Sequence, residues 1–364
     1  MSGCGRGGSG RIRPLRKGRK YPNMKALVYE GPNKLNYTDV PDVFPAKEEV
    51  KLRIKACGIC GSDVAGYQGL TGRRLEPMIM GHEFCGEVVE CAEGVKNLKI
   101  GDLVAVYPVN FCGECEMCKK GDVHLCLNKR SYGVLAENGA FAEYLCVPEK
   151  CCFPVADGVS PVIGSLMEPL AVAYRGVGHL GDLTGKSVFL AGTGTIGLLA
   201  MVCAKIKGAG TIFVSDMDDE RLKVAKSLGA DIVINPAKED PKEVVMANTG
   251  GMGVDCGIEA VGIAPTVQQV MSTLRFGGYA VWIGNNRKMI EMNMQEVVTR
   301  ELSIFGSFLY GYKEFGEVVA LLNEGKLDVA PLISKTIRLD EAITYFEKLK
   351  NHEDNMIKVV VVDE

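Results

Sequence analysis

The sequence predicts an α/β protein with two domains, a compact β-barrel or sandwich followed by a doubly wound parallel sheet. Up to about residue 154, short strand-like segments are broken by Gly and Pro, a pattern typical of small barrels and sandwiches. After residue 185, strands alternate with helical segments, which indicates a parallel sheet with helices on both faces. A chain of 364 residues is also too long for one ordinary core.

Pattern and composition divide the chain into four segments. Residues 1–23 are rich in Gly, carry seven Arg and Lys residues without an acid, and are expected to be a disordered basic leader. Residues 24–168 are expected to form the first domain and residues 169–308 the second. Residues 309–364 contain two amphipathic helices and a final strand, which we expect to return to the first domain.

Charge and hydropathy exclude several classes of protein. Without the seven positive charges of the leader, the formal net charge of -3 becomes -10, which argues against a nucleic-acid surface. We find no apolar run long enough to span a bilayer and no signal peptide pattern, so we expect no membrane partner. The fourteen cysteines then indicate a reducing, cytoplasmic location with free or metal-bound thiols.

Four cysteines occur within fifteen residues, at Cys112, Cys115, Cys118 and Cys126. Their spacing of two, two and seven intervening residues is typical of a zinc site. Four thiolates complete a tetrahedral coordination shell and leave no position for water. This cluster therefore predicts a structural zinc.

A second, different set of metal ligands lies upstream. Cys60 belongs to a Cys-Gly-Ser-Asp segment, and His82 and Glu83 follow a Gly. A lone Cys or His is more often a core or locally satisfied residue, but here a thiolate, an imidazole and a carboxylate occur together. Three such ligands leave a fourth position for water or substrate, so this set predicts a catalytic zinc. We assign Asp63 the role of a hydrogen-bonding support.

A glycine-rich turn opens the first strand-helix pair of the second domain. Gly192, Gly194 and Gly197 form G-x-G-x-x-G between the strand SVFLA and a helix, and Thr195 and Ile196 begin that helix. The glycines permit a tight turn, a close approach of a pyrophosphate and close helix packing, while the helix N-terminus offers free N–H groups. The turn predicts a dinucleotide site.

Asp216 decides which dinucleotide is expected. It ends the next strand, 24 residues after Gly192, where a carboxylate accepts hydrogen bonds from ribose hydroxyls and repels a 2′-phosphate. NAD is therefore favoured over NADP. Arg221 lies nearby and is expected to stack near the adenine or to pair with an acid.

Five motifs in this order resemble the zinc-dependent medium-chain dehydrogenases, and the resemblance extends from Met24 to the end of the chain. They are Gly58–Asp63, Gly81–Glu83, the four-cysteine segment, Glu168–Ala173 and Gly192–Gly197. The resemblance implies a GroES-like catalytic domain around a Rossmann domain, with the active site in the cleft between them. It also implies two zinc ions per chain, NAD, and a homodimer or homotetramer.

The resemblance also implies roles for individual residues. Cys60 and His82 match ligands of the catalytic zinc. Glu83 and Glu168 match two carboxylates that, in polyol dehydrogenases, bind the metal directly or through its water, and which of them binds directly stays open. Ser62 matches the hydroxyl that takes the proton from the alcohol.

Two departures from the family pattern bear on the substrate. Alcohol dehydrogenases of this family often carry a His three residues after the relay Ser, where this chain has Ala65. Sorbitol dehydrogenases carry an Arg-Tyr pair where this chain has Leu309 and Tyr310, so a cation that grips polyols is missing. Diols of the butanediol kind, sugar-alcohol phosphates and other secondary alcohols stay open as substrates.

The leading hypothesis is an NAD-dependent zinc alcohol or polyol dehydrogenase that acts on a small molecule. The Glu-Pro-Leu-Ala-Val-Ala segment at Glu168 favours this branch over a threonine 3-dehydrogenase-like enzyme. A non-catalytic dinucleotide-binding protein would not need Cys60, Ser62 and His82 together. A zinc-ribbon nucleic-acid binder would explain only the four cysteines.

Overall fold

The computed structural model describes residues 22–135 and 137–363, and the predicted leader lies outside them except for its last two residues. The chain forms two compact units. Unit 1 comprises the described parts of Met1–Glu168 and Ile333–Glu364 together with Phe315–Lys326. Unit 2 comprises Pro169–Glu314 and Leu327–Leu332. No described helix is long and apolar enough to cross a membrane.

Short strands dominate the chain up to residue 168. Strand β3 is almost entirely buried, and Val, Leu and Ile supply its apolar side chains. The elements of this part are β1 (Asn23–Gly31), β2 (Lys34–Pro41), β3 (Glu49–Gly58), α1 (Gly61–Tyr67), β4 (Met78–Ile79), β5 (Glu83–Cys91), β6 (Leu103–Val106), β7 (Val109–Asn110), α2 (Glu116–Lys119), β8 (Arg130–Ser131), β9 (Tyr144–Pro148), β10 (Cys152–Pro154) and α3 (Pro161–Ser165).

Strands and helices alternate in the middle of the chain. The elements here are α4 (Met167–Gly178), β11 (Ser187–Ala191), α5 (Thr195–Ile206), β12 (Thr211–Ser215), α6 (Asp219–Ser227), β13 (Ile232–Ile234), α7 (Pro241–Asn248), β14 (Val254–Glu259), α8 (Ala264–Thr273), β15 (Leu274–Trp282), α9 (Met294–Thr299) and β16 (Ser303–Gly306). The last elements are α10 (Tyr312–Asn323), β17 (Ile333–Arg338), α11 (Ala342–Lys350) and β18 (Lys358–Val362).

The sheet of unit 1 joins strands from both ends of the chain. Its order is β10-β6-β5-β3-β18-β17, with β9 also paired to β3, and a smaller sheet has the order β2-β1-β4. The final strand β18 runs antiparallel to β3, with Val360 opposite Gly58. This pairing places Lys358, at the start of β18, near the strands that carry the candidate metal ligands. The sequence pattern did not reveal β2 or β17.

Unit 2 is a six-stranded parallel sheet in the order β13-β12-β11-β14-β15-β16. The central strand β11 is buried over four of its five residues, as expected for a parallel strand covered on both faces. The chain reverses direction across the sheet between β11 and β14, and open α/β sheets bind ligands at such a switch point. The predicted doubly wound sheet is confirmed. Its edge strand β16 was not predicted.

Candidate metal and cofactor sites

The four-cysteine segment forms a compact thiol cluster in unit 1. The four sulfur atoms lie within 4.8 Å of one another. Cys112 Sγ lies 3.9 Å from Cys118 Sγ and 3.5 Å from Cys126 Sγ, and Cys115 Sγ lies 3.9 Å from Cys126 Sγ. Tetrahedral zinc with bonds of 2.3 Å to sulfur places its ligand atoms about 3.8 Å apart. The cluster therefore fits a structural zinc.

Backbone N–H groups support the thiolates of this cluster. The amide of Cys115 donates to Cys112 Sγ at 3.4 Å, and the amide of Cys112 donates to Cys126 Sγ at 3.4 Å. The amides of Cys118 and Leu127 lower the pKa of Cys115 to about 6, whereas burial raises the pKa of Cys118. Zinc binds the thiolate form, so these donors prepare the site for the metal.

The second cluster contains Cys60, His82 and Glu83, whose ligand atoms also lie within 4.8 Å of one another. Cys60 caps the N-terminus of α1, and its sulfur accepts the amide of Ser62 at 3.4 Å. Glu83 begins β5, and His82 immediately precedes this strand. Glu168, in the first turn of α4, is buried but does not belong to this group of ligand atoms. One thiolate, one imidazole and one carboxylate fit a zinc site with an open position.

Asp63 connects this cluster to a buried arginine. Its Oδ1 lies 3.3 Å from His82 Nδ1 and accepts a hydrogen bond from Arg74 Nη2 at 2.7 Å. Burial alone would raise the pKa of Asp63, but His82 and Arg74 outweigh burial and hold that pKa well below its usual range. A carboxylate on Nδ1 leaves Nε2 of His82 for a metal, an arrangement common around metal-binding histidines.

Lys358 is a site residue that the sequence analysis missed. Its Nζ lies 2.6 Å from Glu83 Oε2 and donates to the carbonyl of Ile59 at 3.2 Å. Gly58 provides the room, because a Cβ there would stand 2.3 Å from Glu83 Oε2. The available signal was a single lysine at the start of an otherwise apolar strand, Lys358–Val362. Glu83 therefore faces both the metal ligands and a buried ammonium.

In unit 2 the glycine turn leaves room for a pyrophosphate. A Cβ on Gly197 would stand 1.8 Å from Gly192 O, so the start of α5 lies directly against the turn. A Cβ on Gly194, the N-cap of α5, would meet nothing within 4 Å. Gly192 has φ of +96°, which favours glycine. The turn therefore packs tightly on one side and is open on the other. Thr195 and Ile196 follow at the helix N-terminus.

Asp216 lies beside this turn. Its Oδ2 accepts the amide of Thr193 at 2.6 Å, and its Oδ1 accepts the amide of Asp218 at 3.0 Å. The carboxylate is thereby fixed at the end of β12, next to the G-x-G segment. The Nε of Arg221 lies 3.9 Å from Asp218 Oδ2. Pairing with an acid is one of the two roles expected for Arg221.

The two departures from the family pattern leave neutral side chains. Ala65 lies within α1 and carries no titratable group. Leu309 has φ of +55°, a strained conformation for a bulky residue, and Tyr310 beside it is fully buried. The structure therefore offers no cation at the position of the missing arginine.

Comparisons with known proteins match both halves of the chain. The alcohol dehydrogenase GroES-like domain family matches residues 46–157, and the zinc-binding dehydrogenase family matches residues 195–324. D-xylulose reductase A of Aspergillus niger is 33% identical over 89% of this chain and 93% of that protein. Sorbitol dehydrogenase of Bacillus subtilis strain 168 is 31% identical over 93% of this chain and 97% of that protein.

Two solved structures have the same fold over nearly the whole chain. The 2R,3R-butanediol dehydrogenase of Bacillus subtilis is 31% identical, with 94% of this chain and 100% of that chain covered and a TM-score of 0.85. A protein of Sinorhizobium meliloti 1021, solved with NADP bound, is 32% identical, with 94% and 100% covered and a TM-score of 0.87.

These matches confirm the predicted fold class, a GroES-like domain with a Rossmann domain, and the resemblance that the five motifs suggested. They also confirm zinc and a nicotinamide dinucleotide as the cofactors and exclude the non-catalytic and zinc-ribbon alternatives. The chain therefore belongs to the zinc-dependent medium-chain dehydrogenases, in their branch of alcohol and polyol dehydrogenases.

Proposed function

We propose that this enzyme oxidises a small vicinal diol or polyhydroxy secondary alcohol with NAD, and reduces the corresponding ketone in the reverse direction. The observation that carries the proposal is the cluster of Cys60, His82 and Glu83, with three ligand atoms within 4.8 Å of one another. When bound, zinc supplies Lewis acidity at the alcohol oxygen, and NAD accepts the hydride.

Ser62 is assigned the transfer of the substrate proton. It is exposed, follows Cys60 by two residues, and its Oγ accepts a long hydrogen bond of 3.4 Å from Arg74 Nη2. A hydroxyl with one lone pair occupied in this way can still accept one proton and release another. Ala65 offers no further group, so we expect the proton to leave Ser62 for solvent.

Glu168 is assigned to a neighbouring substrate hydroxyl or to a metal-bound water. It is buried. Burial lowers the pKa of Lys358, but Glu83, Cys60 and Glu168 together outweigh burial and raise that pKa. A second carboxylate of this kind is not needed for a simple alcohol, whereas a diol presents a second hydroxyl that must be accepted. Leu309 supplies no charge for distal hydroxyls, which favours a short substrate over an open-chain hexitol.

A diol is expected to exceed its mono-deoxy analogue in kcat/KM by roughly 10- to 100-fold, because a hydrogen bond to a charged group contributes about 1.5–3 kcal/mol. The measurement is a panel of diols, polyols and primary alcohols, each assayed by reduction of NAD. Equal turnover of ethanol and of every diol and polyol in the panel would contradict the proposal and indicate a general alcohol dehydrogenase.

The same panel, repeated with NADP, tests the cofactor. We expect NAD to have the higher kcat/KM because Asp216 repels a 2′-phosphate. Asp216→Ala is the matched variant, and it should reduce the preference without changing the ranking of alcohols. The NADP in the Sinorhizobium relative makes this comparison necessary. Equal specificity constants in the unmodified enzyme would refute the assignment of NAD.

We also propose that the enzyme is a homodimer or homotetramer. Among the described strands, the edge strand β16 pairs only with β15, and Phe305, Val298 and Met294 near it are 39%, 64% and 69% exposed. An open edge with apolar neighbours is suited to a second copy. Sedimentation as a single-chain particle at all concentrations would disprove this.

We further propose that the enzyme works in a reducing compartment, the cytoplasm, because the two metal clusters need thiolates.

A further inference from the structure

Arg74 is a buried cation beside the open metal cluster, and neither the sequence motifs nor the family assignment gives it a role. Its side chain is 3% exposed, and its partner Asp63 is 0% exposed. Its Nε is buried without a hydrogen-bond partner. Burying a guanidinium is costly unless its contacts compensate, so its position next to Ser62 and Asp63 requires an explanation.

A single nitrogen of Arg74 reaches two residues of the site. Nη2 donates to Asp63 Oδ1 at 2.7 Å and to Ser62 Oγ at 3.4 Å. Asp63 in turn lies 3.3 Å from His82 Nδ1. The rigid planar guanidinium therefore fixes the hydroxyl expected to carry the proton and the carboxylate expected to orient a metal ligand.

The donation to Ser62 also sets the direction of its hydroxyl hydrogen. A hydroxyl has one hydrogen and two lone pairs, and Arg74 can only donate. With one lone pair of Oγ facing Arg74, the hydrogen must point away from the guanidinium. The remaining lone pair and the hydrogen are then available to a substrate and to the next proton acceptor.

The helix that carries Ser62 is shaped to accept Arg74. Gly66 lies inside α1 and is buried, although glycine within a helix is less favourable than alanine. A Cβ at Gly66 would stand 2.6 Å from Cγ of Arg74 and 3.3 Å from its Nε. The arginine therefore lies directly on the glycine backbone, and no larger residue would leave it there.

We propose that Arg74 is a positioning residue that orients the Ser62 hydroxyl for proton transfer and, through Asp63, holds the His82 imidazole for the metal. The part concerning Ser62 rests on the proposed dehydrogenase function. The part concerning His82 concerns metal binding alone and can be measured without any alcohol.

Three variants and one control test the proposal. Arg74→Met removes the donor, Arg74→Lys keeps a charge on a shorter side chain that does not reach both acceptors, and Gly66→Ala keeps Arg74 but displaces it. Arg73→Met is the matched control, because Arg73 is the neighbouring arginine and is exposed. Each protein is assayed for kcat, for KM of NAD, for the solvent deuterium isotope effect on kcat, and for the rate at which a chelator removes zinc.

All three variants are expected to lower kcat by about 10- to 100-fold, the usual effect of removing a support of a metal ligand. The solvent isotope effect should increase, because proton transfer from a misdirected hydroxyl becomes slow, while KM for NAD stays unchanged. In Arg74→Met and Gly66→Ala one of two zinc equivalents should also leave faster. Arg73→Met should match the unmodified enzyme in every measurement.

If Arg74→Met does not fold, Arg74→Lys and Gly66→Ala decide, since the first keeps the charge and the second introduces a better helix former. Unchanged kcat, isotope effect and zinc release in both variants would overturn the proposal. An unmodified protein that oxidises no alcohol would instead refute the proposed function. In that case faster zinc release from Arg74→Met would still support the role of Arg74, and unchanged release would reject it.

Discussion

Replacement of Lys358 by Met is expected to destabilise unit 1 of the metal-free enzyme by about 3–5 kcal/mol, the usual effect of removing one partner of a buried ion pair. The ammonium and the Glu83 carboxylate are 2% and 1% exposed and lie 2.6 Å apart. Without Lys358, the Glu83 carboxylate of the metal-free enzyme stays buried and loses the ammonium that it contacts. The carbonyl of Ile59 also loses a donor. The loss is therefore greater than the direct attraction within the pair.

The contribution of the Lys358 charge to stability should be lost as the pH rises. Burial opposes the charge of Lys358, but Glu83, followed by Cys60 and Glu168, outweighs burial and raises the pKa of Lys358 above 10.5. A raised pKa in the folded state means that the stabilisation is fully present below pH 10.5. It is lost as the pH rises through the raised value. The difference between the unmodified enzyme and Lys358→Met should thus be complete at neutral pH.

Hydrogen exchange of the metal-free enzyme is the suitable measurement, because two units make one global unfolding energy poorly defined. The amide of Ile59, which donates to Val359 O at 2.9 Å, reports on the β3–β18 pairing. Its protection should fall by about a hundredfold or more, at 1.4 kcal/mol per factor of ten. Trp282, the single tryptophan, lies in unit 2, so its fluorescence should not change.

The matched control is Lys55→Met. Lys55 joins β3 to the same end of the chain through Asp363 at 2.9 Å, but this pair is 27% and 30% exposed. A partly exposed pair of this kind contributes at most about 1 kcal/mol. If both variants reduce the protection of Ile59 equally, the large effect of burial is contradicted. Unchanged protection of the Ile59 amide in Lys358→Met would also contradict the expected effect of burial.

The contrast between Lys358 and the cysteines shows what the sequence could predict. The four cysteines between residues 112 and 126 lie close in sequence, so their spacing alone predicts the tetrahedral cluster. The glycine turn is likewise local, because a strand, three glycines and a helix follow one another. Cys60 and His82 are 22 residues apart, and their own neighbouring residues indicated the site before the resemblance to a family supported it. For the four cysteines and the glycine turn, closeness in sequence already implies closeness in space.

Lys358 and Arg74 could not be predicted in this way. Lys358 meets Glu83 across 275 residues, through the return of β18 to β3. The contacts of Arg74 form only when the loop that carries it folds back over Gly66 of α1. The sequence contains weak signs of both, namely a lone lysine in an apolar strand and Gly66 inside a helix. Neither sign predicts which residue is contacted, because that contact depends on the tertiary fold.

Replacement of Cys112 by Ser is expected to unfold the structural zinc lobe, residues 112–126, while the rest of unit 1 stays folded. The lobe contains one helix of four residues, α2, and a short 3-10 turn, Val123–Leu125. Within it Val123 is buried, but Leu125 is 40% exposed, so the lobe buries little apolar surface. Its order must come from the metal, since structural zinc supplies about 10–16 kcal/mol in small zinc-dependent peptides.

Metal analysis and limited trypsin digestion test this expectation. The unmodified enzyme should hold two zinc equivalents, and Cys112→Ser should hold one and become cleavable at Lys119 and Lys120. Cys91→Ser, outside both clusters, is the control and should keep both metals. Cys60→Ala should lose the other equivalent and keep the lobe resistant, because its ligands lie on separate elements of unit 1. A single equivalent in the unmodified enzyme, or two in Cys112→Ser, would contradict the assignment of two independent sites.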